Sequence, residues 1–172
     1  MKRLIPAAIL LLTVAAAHAA GPKPDMQAQM QEMQAAQAKM MAAMMTESKS
    51  RLGFDQTVAA LQDAAKKNGW QVGQVMDMQE VMRKGGHKDA RPFKVLAMCK
   101  QDLAEDLLKT QAAHRTMPFV PCRISVFEAA DGKVYVAKPN TEMMAQTALP
   151  PFAPLLKKFV EAEQAVLAGI VE

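Results

Sequence analysis

Two alternating apolar runs flank the pair Asp131-Gly132, and this arrangement restricts the chain more than any other feature. Val120 to Glu128 sets Cys122, Ile124 and Val126 on one face, and Lys133 to Lys138 sets Val134 and Val136 inward. Side chains alternate with period two along a strand, so both runs read as strands. Asp-Gly between such runs predicts a two-residue hairpin, because glycine supplies the left-handed backbone that the turn requires.

Upstream punctuation extends the pattern. Ser48 to Leu52 reads as a short strand. Asp55 is placed to cap a helix with Val58, Leu61 and Ala65 on one face, ended by Asn68-Gly69. Trp70 to Met76 alternates Trp70, Val72, Gln74 and Met76 against Gln71, Gly73 and Val75, and reads as a strand. Met78 to Lys84 reads as a short helix before Gly85-Gly86, and Phe93 to Cys99 as a mostly apolar strand. Gln101 to Ala113 follows as a helix with Leu103, Leu107 and Leu108 inside. Pro139-Asn140 ends the hairpin's return strand. Pro150-Pro151 opens a long final helix striped by Phe152, Leu155, Leu156, Phe159, Val166 and Ile170. The order is β-α-β-(short α)-β-α-β-β-α. Hairpin and short connections favour an α+β domain, a small mixed or antiparallel sheet with helices packed on one face.

The N-terminus has a different character. Lys2 and Arg3 precede the apolar run Leu4 to Ala17, and Ala17-His18-Ala19 fits a small-x-small cleavage site. Residues 1–19 therefore read as a secretory signal, with the mature chain starting at Ala20. The run is too short for a stable membrane span. No twin arginine precedes it, so the expected route is general export to a bacterial periplasm. Loss of Lys2 and Arg3 lowers the formal charge from +4 to +2. That is too small to argue for nucleic acid or an anionic membrane surface.

Residues 20–45 form a spacer and a Met/Gln/Ala-rich helix. Gly21-Pro22-Lys23-Pro24 is non-helical, and Asp25 stands at an N-cap position. The stretch from 26 to 45 has no Leu, Ile, Val or Phe. Its large apolar side chains are seven methionines, half of those left once the leader is removed. Met26, Met30, Met33, Gln37, Met40 and Met44 follow steps of four and three, an a/d seam that predicts a covered face on a helix over about 26–46. The cover is either the chain's own domain or a second copy. Met40, Met41, Met44 and Met45 also bring four thioethers to about one helical turn, and thioethers are soft ligands suited to Cu(I).

The string from Met117 to Glu128, Met-Pro-Phe-Val-Pro-Cys-Arg-Ile-Ser-Val-Phe-Glu, continues into Asp131-Gly132-Lys133-Val134-Tyr135-Val136 and Asn140. Together these resemble the domain-of-unknown-function 302 family. Gly53-Phe54-Asp55, Gly69-Trp70 and Leu96-Ala97-Met98-Cys99-Lys100 fit the family's amino-terminal half. The resemblance spans residues 46–172. It implies a compact α+β fold, often dimeric, and a branch in which two cysteines recur near these places. It implies no settled activity. The Phe119-Val120 insertion departs from the family string, and the Met-rich helix lies outside it.

Few residues can carry chemistry. Cys99 ends one strand and Cys122 begins another, and in an antiparallel sheet such positions can be neighbours. An exported pair of this kind reads as a structural disulfide, a redox or persulfide pair, a metal or haem ligand pair, or two separate thiols. His87 and His114 read as loop and helix-end residues, or join the cysteines around a metal. Asp77, Arg123 and Asn140 stand at strand edges and, with the two histidines, are candidate pocket residues. No Ser-His-Asp grouping, phosphate loop or paired-His helix is present, and no cofactor is required. The sequence thus predicts an exported binding or accessory module, most consistent with no enzymatic activity, in periplasmic redox, metal or sulfur handling through Cys99 and Cys122. Two other readings are a thiol-based enzyme or carrier using either cysteine, and a structural homodimer assembled through the Met-rich helix.

Overall fold

The computed structural model describes residues 26–109, 122–148, 150 and 152–172. The leader, the 20–25 spacer, His114 and the Phe119-Val120 insertion lie outside these residues. Of the described residues, those up to 36 form one unit and those from 37 onward another.

Strands β1 (Met45–Lys49), β2 (Gln71–Asp77), β3 (Phe93–Cys99), β4 (Cys122–Glu128) and β5 (Val134–Pro139) build one five-stranded sheet in the order β1-β5-β4-β3-β2. Every neighbouring pair is antiparallel. The helices are α1 (Met26–Ala43), α2 (Phe54–Lys67), α3 (Met78–Lys84), α4 (Gln101–Leu108), α5 (Thr141–Thr147) and α6 (Ala153–Leu167). The expected α+β class is present, with an antiparallel rather than mixed sheet.

Parity decides the two faces of the sheet. Leu96 opposes Ile124, Met98 opposes Cys122, and Val126 opposes Val136, so these residues share one face. Val58, Leu61 and Ala65 of α2 and Val166 of α6 join that face in one buried cluster, which closes the core. Leu61, Leu96 and Val166 are wholly buried. Each such side chain contributes about 1.5–3 kcal/mol by leaving water. The other face carries a cross-strand aromatic row. Phe93 meets Phe127 edge-on at 6.1 Å, and Phe127 stacks on Tyr135 at 5.9 Å.

Several local expectations are corrected. The first strand lies at 45–49, because α1 ends at Ala43. Met45 therefore belongs to the strand, while Met44 closes the last turn of α1 through its N–H to the Met40 carbonyl, and the four candidate copper ligands do not all share one helical turn. The seam methionines Met26, Met30, Met33, Met40 and Met44 are exposed. Gly53 rather than Asp55 caps α2, while Asp55 sits in its first turn, where an anion is favoured by the helix dipole. A bulge in β2 interrupts the expected alternation. Val72 pairs with Met98 and Val75 with Leu96, so residues three apart both reach the core, while Met76 is exposed. The hairpin is wider than two residues. Gly132 N–H donates to Ala129, Ala129 N–H donates to Lys133, and Gly132 at φ +74° takes the left-handed position of a three-residue loop. Helix α5 was not expected at all.

Candidate functional site

A cavity of about 200 Å³ lies where α4, α5 and α6 meet the ends of β3, β4 and β5. Leu103 and Leu107 line it from α4, Thr141 and Met144 from α5, and Leu155 and Phe159 from α6. The sheet contributes Met98, Cys99, Cys122 and Pro139. Thr141 is the one hydroxyl among these, so the walls are mainly apolar. Walls of this kind suit apolar molecules: an enclosed apolar cavity of about 150 Å³ holds a benzene ring.

The register explains how the cysteines stand. Antiparallel pairing does bring the end of β3 beside the start of β4. Cys122 opposes Met98, however, and shares its face, while Cys99 is the next residue and belongs to the opposite pleat. Both are free thiols, half-buried and unbonded to each other. This corrects the structural-disulfide expectation. The cysteines are neighbours in space with the wrong parity for a cross-strand bridge. Burial, reinforced by the negative charge of Glu163 and by Cys99, pushes the Cys122 thiol up to about 12. Lys138 offsets part of this.

Behind the apolar wall lies a polar group that sequence reasoning passed over. Lys138 is only 9% exposed and Glu163 only 2%. Lys138 Nζ donates to Glu163 Oε2 at 3.1 Å, to Thr141 Oγ1 at 3.2 Å and to the Pro139 carbonyl at 3.4 Å. Thr141 Oγ1 donates to Glu163 Oε2 at 2.5 Å. Burial raises the Glu163 carboxyl above its ordinary range, against the pull of Thr141 and Lys138. A signal for both residues existed. Lys138 continues the inward row of Val134 and Val136, and Glu163 stands four after Phe159 and three before Val166 on the apolar stripe of α6. A charge on an inward row is paired, or it is a functional group.

The other candidates do not converge. Asp77 caps α3, accepting from Glu80 N–H at 2.9 Å, and His87 is exposed in the turn after that helix. Arg123 opposes Ala97 and is exposed on the face with the aromatic row. Among the described candidates Asn140 alone neighbours the cavity, between Pro139 and Thr141. It caps α5, accepting from Met143 N–H at 3.0 Å, and it donates to the Ala43 carbonyl at 2.9 Å. Among the described residues no group of three His, Cys, Asp or Glu side chains could hold a metal ion. No described helix is long and apolar enough to cross a membrane.

A family model described as "Domain of unknown function DUF302" matches residues 44–170. The chain belongs to the DUF302 family. The match contains Cys99, Cys122, Lys138 and Glu163, and it begins just after α1, so that helix is an addition to the DUF302 domain. A crystal structure of an uncharacterized conserved DUF302 protein from Bacillus stearothermophilus resembles this chain with a TM-score of 0.63 at 18% identity. The likeness covers 72% of this chain and 95% of that one, and it speaks to the fold alone. No curated protein matches the sequence.

Proposed function

We propose that this DUF302 protein is an exported, non-enzymatic binding module that holds a small apolar molecule in the cavity between the sheet and α4, α5 and α6. The observation that carries the reading is the cavity itself. It is about 200 Å³ in volume and is walled mainly by Leu, Met and Phe side chains. Export is supported by Lys2, Arg3, the apolar run 4–17 and the Ala17-His18-Ala19 site.

Within this reading the thiols are part of the wall. A thiol titrating near 12 leaves on the order of one thiolate in 10⁵ molecules at pH 7, which disfavours Cys122 as a nucleophile or exchange thiol. Redox cycling of the pair is disfavoured by its parity.

Native mass spectrometry of the protein isolated from the periplasm tests the proposal. The expected result is a chain beginning at Ala20, with both thiols reduced and a small bound mass that leaves on mild activation. An empty chain that also fails to take up toluene or phenol in calorimetry refutes it. A second reading concerns assembly. The heptad spacing of the exposed methionines favours a homodimer through α1. Removing residues 26–43 is then expected to convert a dimer to a monomer in sedimentation, and an unchanged mass refutes it.

A further inference from the structure

The sheet has a second face that the core does not use. Register sets its outward residues on the three central strands in rows. Tyr135, Phe127 and Phe93 form the first row, and Ala137, Ser125 and Val95 the second. Arg123 and Ala97 form the third, with Pro139 at its β5 end. None of these residues belongs to the buried cluster that α2 and α6 close, and none is fully buried. The residues between them along each strand, such as Leu96, Ile124, Val126 and Val136, are buried.

An antiparallel sheet with one face in water alternates apolar inward and polar outward. This outward face does not follow that rule. Arg123 is the one charged residue in the three rows, and the Tyr135 hydroxyl is already turned to Asp131 at 3.1 Å. The Phe93, Phe127 and Tyr135 rings pack on one another as a continuous apolar ridge. A contiguous apolar face of this kind marks an interaction surface.

The face is also graded in height. The first row is a ridge of three rings, the second is low, with Ala137 and Ser125 at its centre, and the third holds Ala97. A two-fold axis laid along the second row makes such a face complementary to itself. It turns the aromatic row of each copy onto the third row of the other, high onto low, and sets Ser125 against the partner's Ser125. Isologous interfaces require self-complementarity of this sort. The same operation carries Arg123 over the partner's Phe127, where a guanidinium is attracted by the ring face. Five strands of five to seven residues span roughly 500 Å² of sheet. Two copies then bury roughly 1,000 Å², the lower bound for a specific interface.

We propose that this face is the interface of a homodimer in which two copies pack sheet on sheet with their strands running in opposite directions. It calls on neither the cavity nor α1, and so goes beyond both readings above.

Sedimentation of the mature chain at about 100 μM is expected to show a dimer, since interfaces of this size reach micromolar affinity. Ser125→Arg puts a long charge at the centre of the face. In the monomer that side chain reaches water, so the variant is expected to keep its buried Trp70 fluorescence and to sediment as a monomer. Ser125→Cys tests the axis without disturbing it. Under mild oxidation it is expected to form a covalent dimer that the unaltered chain, with Cys99 and Cys122 alone, does not form. A monomeric unaltered chain, as when another cover occupies the face, overturns the inference. So does a dimer that survives Ser125→Arg, as one held by α1 would, or a Ser125→Cys chain that fails to cross-link.

Discussion

Replacing Lys138 with Met isolates the energetics of the buried pair. The side chain volume is kept, so the main change is electrostatic. Lys138 donates to Glu163, Thr141 and the Pro139 carbonyl, and its loss leaves a carboxylate that is 2% exposed with only the Thr141 hydroxyl. Breaking one side of a buried ion pair costs about 3–5 kcal/mol. Glu163 has one escape, which is to take up a proton. Its cost is about 1.4 kcal/mol for each pH unit above the ordinary carboxyl value of 4.5. The loss is thereby limited to roughly 3.5 kcal/mol at pH 7 and falls to about 1 kcal/mol or less at pH 5. Trp70, the one tryptophan, is 3% exposed and reports unfolding by its fluorescence in urea. The expected result is a marked drop in stability at pH 7 that largely recovers at pH 5. Removing both charges in Lys138→Met with Glu163→Met is expected to return stability to within about 1 kcal/mol of the original, because the pair's desolvation and attraction vanish together. A Lys138→Met loss under about 1 kcal/mol at pH 7, or one equal at pH 5 and pH 7, refutes the argument.

The unaltered protein has the same sign of pH dependence at Glu163, with a smaller amplitude. Burial raises the folded carboxyl above its unfolded value, so the folded state binds the proton better. This contribution to stability is full below about pH 4.5 and is lost as pH rises through the raised folded value, which urea midpoints across that range will register. Cys122 is expected to resist alkylation in the native state at pH 8 and to react at once in urea, since burial holds its thiol near 12; rapid native labelling contradicts that. Asn140→Ala removes the α5 cap and the bond to Ala43 and is expected to cost about 1–2 kcal/mol in the same urea assay. Gly69→Ala places a side chain at φ +73° and a Cβ 3.2 Å from Lys100 Nζ, so a loss of about 1–2 kcal/mol is expected, while Gly53→Ala, at an ordinary φ, is expected to cost less.

The architecture was legible where side-chain periodicity met a clear stop. Helix α3, strand β3 and the hairpin strands fall close to their sequence-read positions because Gly85-Gly86, Pro92 and Asp131-Gly132 bound them. Errors arose where one residue serves two elements. Asn140 read as the end of a strand, and it is also the cap that starts α5. That helix is seven residues long, Thr-Glu-Met-Met-Ala-Gln-Thr, too short to show a period of 3.6. The β2 bulge is similarly invisible, since period-two counting assumes an unbroken ladder and places Val72 and Val75 on opposite faces.

The site was less legible than the fold for a reason that the cysteines make concrete. Their adjacency follows from the antiparallel pairing of β3 with β4, which the sequence offers only as one arrangement because α4 lies between those strands. Their bonding follows from register parity, and a shift of one residue reverses it. The cavity is more remote still, because it belongs to no element. It is the space left where α4, α5 and α6 approach the sheet end, and its walls come from six elements. What did reach the sequence was a conflict between levels. Lys138 and Glu163 each stand in an otherwise apolar row, one on a strand and one on a helix, and the chain brings them within 3.1 Å of each other. Two local exceptions that answer one another across 25 residues are better evidence of a built site than either thiol. Buried ion pairs of this kind can often be replaced by apolar residues with little loss of folding energy. The Lys138–Glu163 pair meets the cavity only through Thr141, a wall residue bonded to both partners.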